Sequence, residues 1–213
     1  MSDLISMTGT LFLFIYWPSF NGGPGKGAKQ MRAIINTYLS LSSSVIASII
    51  VARVTKGKKL EMEIILNASL AGGVVMGANA DIIAKSYGAM LAGFCAGTVS
   101  SLGYAYLGPY LAKKINLHDT CGVHNLHGMP GVMGGLISAI VSSRGLVNFG
   151  SYYEKQFLFD PTVRTPQMQA GFQLAALATS LGIGLFGGLV AGILVGNHNP
   201  FFQPPPVEHF YDD

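Results

Sequence analysis

The sequence has 213 residues, of which 50% are hydrophobic and only 11% charged, with a net charge of +3. A soluble domain carries roughly 25% charged residues. So little charge excludes a surface covered by water and points to lipid, where an apolar exterior has no water to avoid. The mean hydropathy of +0.44 agrees. The basic residues are scattered through short loops without interleaved aromatics, which leaves no footprint for a nucleic-acid partner. The 28 glycines suit membrane helices, where small residues let backbones approach closely. Cys95 and Cys121 lie in or beside apolar segments and read as small core thiols, not as a disulfide framework.

A spanning helix needs about 20 mostly apolar residues, and six stretches are predicted to qualify. The first, Leu4 to Phe20, follows Met-Ser-Asp with no positive n-region and no small-residue cleavage site, so it reads as a span and not a signal peptide. It ends in Tyr16 and Trp17, whose amphipathic rings suit the membrane interface. The second, Ile34 to Ala52, is Ser-rich and is expected inside a bundle. The third runs from Ile64 to Ile83, the fourth from Gly88 to Leu111, the fifth from Gly122 to Val141 and the sixth from Gly171 to Val195. Residues 1–196 thus form a membrane domain, and the tail from Asn197, with Pro204 to Pro206, is expected to be mobile. The densest basic cluster, Arg53 to Lys59, favours both termini in the cytoplasm. Gly184, Gly188, Gly192 and Gly196 form a smooth ridge on the last helix, and Gly73 with Gly77 and Gly93 with Gly97 repeat the spacing; all read as close packing.

The run His118 to Gly131, which leads into the fifth segment, holds three of the five histidines. Ionisable groups within a membrane are expensive and usually line a pathway. His127 lies deeper than His124 and has Gly128 beside it, leaving room next to the ring. His124 and His127 are three apart, on one helical face, a spacing that also suits a metal pair. His124 alone reads equally well as a hydrogen bond to a neighbouring helix. Asp119 precedes His127 by eight residues, about 12 Å along an unbroken helix, too far to share an ion. At a helix start its carboxylate is expected to cap free N–H groups, with substrate binding as the alternative role. Phe20, before Asn21, is placed to project into a pore as an apolar plug, while Tyr16 and Trp17 read as an interfacial belt.

Taken together, the blocks YWPSFN (Tyr16 to Asn21), INTYLSL (Ile35 to Leu41), NASLAGG (Asn67 to Gly73) and DTCGVHNLHGMPGVMGG (Asp119 to Gly135) resemble the Rh glycoproteins, a branch of the ammonium transporter superfamily. The resemblance implies an all-α polytopic membrane protein of about six transmembrane helices, one half of an inverted-repeat fold. It implies homotrimers in which each subunit has its own pore, in the plasma membrane, with ammonia or ammonium as substrate and no cofactor. By the same resemblance, His127 is the second member of a pore-lining histidine pair and Phe20 the inner of two stacked gate phenylalanines. Asp119 is the second-half partner of a vestibule aspartate, and Trp17 matches an aromatic near the pore wall. The first-half histidine, phenylalanine and aspartate have no counterpart in this sequence. Two further readings stand beside this one. One is a metal-ion transporter using His118, His124 and His127. The other is a non-conducting subunit that joins full-length relatives in a hetero-oligomer. No HExxH and no nucleophile in a credible triad suggests an enzyme.

Overall fold

A computed structural model describes residues 2–55, 62–144 and 165–196. The described residues form six helical rods. They are α1 (Ser2–Gly22), α2 (Ala28–Thr55), α3 (Met62–Val75), α4 (Ser86–Leu102) running on into α5 (Gly108–Ile115), α6 (Met129–Ser143) and α7 (Pro166–Gly196). Four rods are long and apolar enough to cross a membrane: Ala28–Thr55, Ser86–Ile115, His124–Ser143 and Pro166–Val195. The protein is therefore a multi-pass membrane protein. The predicted tail lies outside the described residues.

The centre of the bundle is α2, α3 and α4, held by serines and glycines where a soluble core would use large apolar side chains. Ser40 Oγ donates to the Gly72 carbonyl and Ser44 Oγ to that of Ala68, both at 2.7 Å. Ser43 Oγ donates to the Met90 carbonyl at 2.7 Å, and the Ser48 and Ser69 hydroxyls meet at 3.3 Å. These bonds form because the facing glycines bring the backbones together. A Cβ on Gly93 would lie 2.1 Å from the Ser40 carbonyl oxygen, and one on Gly97 2.6 Å from that of Ser44. The Ser-rich face of α2, unpromising for lipid contact, is thus the buried face. Leu41, Val75, Met76 and Leu126 fill what the small residues leave.

The third predicted span is helical only as far as Val75, and residues 76–82 continue as hydrogen-bonded turns. Two buried asparagines pin this stretch. Asn79 Nδ2 donates to the carbonyls of Val75 (2.9 Å) and Gly134 (3.0 Å). Asn36 Nδ2 donates to Ala80 and Ile83, both at 2.8 Å. Irregular backbone at membrane depth is tolerated only where protein satisfies its polar groups, and the amides do that here.

Two expectations change. Both cysteines are exposed, because Cys95 faces outward from α4 and Cys121 sits in the turn before α6. The glycine ridge of α7 packs against nothing in the described chain: a Cβ at Gly184, Gly188 or Gly192 would meet no atom within 4 Å. Glycines of α3, α4 and α6 do pack closely, where neighbouring rods exist on several sides.

Candidate functional site

The site is built from α1, α3 and the turn that leads into α6. Trp17 and Phe20 are three residues apart and share one face of α1. Between them Pro18 is buried, and beyond them Asn21 fastens the helix end. Asn21 Nδ2 donates to the Gly73 carbonyl at 3.0 Å and to Thr37 Oγ1 at 3.2 Å. Gly73 is glycine for a steric reason: a Cβ there would sit 2.6 Å from Trp17 Nε1 and 2.7 Å from two ring carbons. The indole therefore lies directly on the α3 backbone.

The second half of the site comes from a widened turn, His124–Gly128, that precedes α6. Its N–H of Met129 reaches back five residues to the His124 carbonyl, a π-helical pattern that recurs at functional sites. Asp119 starts the turn. Its two carboxylate oxygens accept from the backbone N–H groups of Val123 (2.9 Å) and His124 (2.8 Å). Gly122, at φ +63°, makes the bend, and the Tyr104 hydroxyl donates to its carbonyl at 3.0 Å. This frame presents the His127 ring to the Trp17 ring, stacked at 6.2 Å between centroids and 20° between planes.

Trp17, His127 and Phe20 line one hollow of about 450 Å³, together with Leu13, Tyr16 and Asn21 among others. It is open on one side, with Phe20 77% exposed. The polar groups inside are few and the walls mostly apolar. His124 does not line the hollow; it is exposed, with its ring beside Gly128. Asp119 does not line it either, being engaged at the helix start. His118 pairs with the Asn116 side chain at 3.0 Å. Among the described residues no three His, Cys, Asp or Glu side chains converge as a metal site would require. Sequence reasoning did not single out Asn21, Gly73 or Tyr104 as site residues, although Asn21 and Gly73 end two of the four blocks that carry the family resemblance. A one-dimensional pattern does not say which carbonyl an amide will find.

The family model of the Ammonium Transporter Family matches residues 1–198. The chain belongs to the Ammonium Transporter Family. It is 45% identical over 219 residues to ammonium transporter Rh type C of Xenopus tropicalis, covering 100% of this chain and 46% of that one. It is 41% identical over 219 residues to ammonium transporter Rh type B of Danio rerio, covering 100% and 47%. Among solved structures, Rh50 of Nitrosomonas europaea, of the Rhesus protein family of channels, matches with a TM-score of 0.76 and 28% identity, over 98% of this chain and 52% of that one. The chain spans about half the length of the curated relatives it matches.

Proposed function

We propose that this chain supplies one wall of a path by which ammonia crosses the membrane, as part of an Rh-type channel. The observation that carries the reading is the Trp17–His127 stack inside an apolar hollow mouthed by Phe20, in a chain of this family.

The chemistry follows from solvation. An ammonium ion loses its hydration in an apolar passage at great cost, whereas neutral ammonia loses far less. A narrow apolar hollow therefore selects the neutral molecule, and the proton stays behind at the entrance. Ammonia still needs a partner for its hydrogen-bonding groups, and a neutral imidazole offers a donor and an acceptor. His127 supplies that contact, with Trp17 stacked on it to hold the ring plane. Phe20 covers the mouth and keeps water out. Asp119 serves this reading from outside the path, by holding the turn that carries His127. The assembly is a homotrimer, or a hetero-oligomer with full-length relatives, in the plasma membrane.

The test uses proteoliposomes loaded with a pH dye. Ammonia entry alkalinises the interior, and the rate is compared with protein-free vesicles. The full chain is expected to accelerate alkalinisation, and His127→Ala to reduce its contribution by about threefold to tenfold, the worth of one hydrogen bond. An inserted, folded wild-type chain that matches empty vesicles would leave the non-conducting subunit reading. Equal rates for wild type and a folded His127→Ala would remove His127 from the path.

A further inference from the structure

The turn that carries His127 is held by two kinds of hydrogen bond. The bonds from the Val123 and His124 N–H groups to Asp119 span four and five residues, so they fix the shape of the segment and move with it. The bond from the Leu126 N–H to the Gly122 carbonyl, at 2.9 Å, is internal as well. Bonds of this kind do not aim the turn at Trp17. Aim has to come from another rod.

It comes from a second wide turn. Over Gly103–Leu107, between α4 and α5, the rod is π-helical, with the Gly108 N–H reaching back five residues to the Gly103 carbonyl. Gly93, Gly97 and Ser101 follow every four residues on the buried face of α4, and Tyr104, three further on, continues that face. Its hydroxyl donates to the Gly122 carbonyl at 3.0 Å. In the opposite direction Asn125, only 3% exposed, reaches the Tyr104 turn. A Cβ on Gly103 would meet Asn125 Oδ1 at 2.4 Å, and one on Gly108 would meet Asn125 Nδ2 at 3.5 Å. The amide therefore lies across the two glycines that the closing bond of the wide turn joins. Its Oδ1 is buried with no hydrogen-bond partner among the described residues. The amide is thus a wedge, and the Tyr104 hydroxyl supplies the bond.

Each wide turn sends one side chain onto the other. A π turn departs from the regular i→i−4 ladder of the helix, so a neighbour that locks it keeps its shape. Asn125 and Leu126 are buried in the His124–Gly128 turn, and His127, next in line, is the residue turned to the hollow. A small rotation of this turn would carry the imidazole off Trp17.

We propose that Tyr104 is a positioning residue for His127. Tyr104 does not line the hollow; its hydroxyl acts through the Gly122 carbonyl and sets the angle at which the His127 ring meets Trp17. The consequence for transport rests on His127 being a contact for ammonia, whereas the positioning itself does not.

Trp17 is the only tryptophan, and a ring in contact with an indole changes its excited-state lifetime. Lifetimes are measured on the full chain in proteoliposomes, where their amplitudes give the ratio of stacked to unstacked Trp17. Tyr104→Phe keeps the ring and loses the hydroxyl. It is expected to lower that ratio about threefold, the worth of one interhelical hydrogen bond in a membrane. Tyr106→Phe removes a hydroxyl from the same wide turn, but Tyr106 is 59% exposed and lines a second hollow, of about 510 Å³. It is expected to leave the ratio at the wild-type value. In a His127→Ala background, Tyr104→Phe is expected to change no lifetime. A hydroxyl that merely steadied the bundle would lower thermal stability and leave the lifetimes of the folded chain alone. A wild-type ratio in folded Tyr104→Phe therefore overturns the proposal. An equal change in the His127→Ala background overturns it too, since the hydroxyl would then reach Trp17 by another route. Ammonia entry into the same vesicles is expected to fall by up to about threefold in Tyr104→Phe. A lowered ratio with undiminished ammonia entry would keep Tyr104 as a positioning residue and overturn only the ammonia reading.

Discussion

Trp17 is the sole tryptophan of the chain, so its fluorescence reports on the first hollow without interference. Its position depends on an atom that is missing. Gly73 lets the indole rest on the α3 backbone, and the Asn21 amide holds the same residue's carbonyl at 3.0 Å. A methyl group at residue 73 would overlap the ring, and inserting one into a filled space costs about 1–3 kcal/mol. The ring is the part that can move, since the helix backbone cannot. Gly73→Ala is therefore expected to shift Trp17 emission and to uncouple it from His127. In wild type, His127→Ala changes the emission, because it removes the stacked partner at 6.2 Å. In the Gly73→Ala background the same change should have little further effect. Full additivity of the two changes would mean that Gly73 does not set the stack.

Among elements, the α2–α3–α4 core poses a choice between two kinds of contact. Interhelical hydrogen bonds in membranes average only about 0.6 kcal/mol, because the unfolded chain in lipid also finds partners. The close backbone approach counts for more. Ser44→Ala loses one bond to the Ala68 carbonyl. Gly97→Ala places a methyl group 2.6 Å from the Ser44 backbone oxygen, which cannot rotate away, so α2 and α4 must separate and weaken their bonds together. Thermal unfolding in detergent should show Gly97→Ala lowering stability by about 1–3 kcal/mol and Ser44→Ala by less than about 1 kcal/mol. The reverse order would mean that hydroxyls, not proximity, hold the core. The same contrast explains what was readable in advance. Helix positions and the inward Ser face of α2 follow from apolar runs and composition, whereas Trp17, whose place at a helix end reads as an interfacial belt, joins Phe20 only through the family resemblance. The stop at Val75 is harder to read: Gly77, Asn79 and Asp81 are turn formers within the run, but only the fold shows Asn36 and Asn79, bonding across 44 and 55 residues, satisfying the turns in lipid. The wide turn at His124–Gly128 is hidden for a related reason. On a regular helix His124 and His127 share a face, but the extra residue in the turn leaves His127 at the hollow and His124 outside it.

At the scale of the whole molecule, α7 differs from every other rod. It has 31 residues and its spanning window is 0% buried, against 44% for that of α2. Its described anchorage is to α6, where Leu177 reaches Gly135. Leu185, Phe186, Leu189 and Leu194 are all at least 62% exposed, and the ridge of Gly184, Gly188 and Gly192 is bare. In water this surface would aggregate, but in lipid it costs nothing, since acyl chains are as apolar as leucine. A lipid-soluble carbene reagent added to vesicles holding this chain alone should therefore label α7 around most of its circumference and leave the serine face of α2 untouched. Adding a partner that completes the hollow, such as a full-length Rh-type relative, then locates the partner by protection. Loss of label confined to the glycine ridge would mean that close helix contact there joins the two chains. Unchanged label on α7, with Trp17 emission altered, would place the partner over the open side of the hollow and leave α7 facing lipid. Labelling of α7 no stronger than that of α2 in the chain alone would contradict the exposed position of α7 itself.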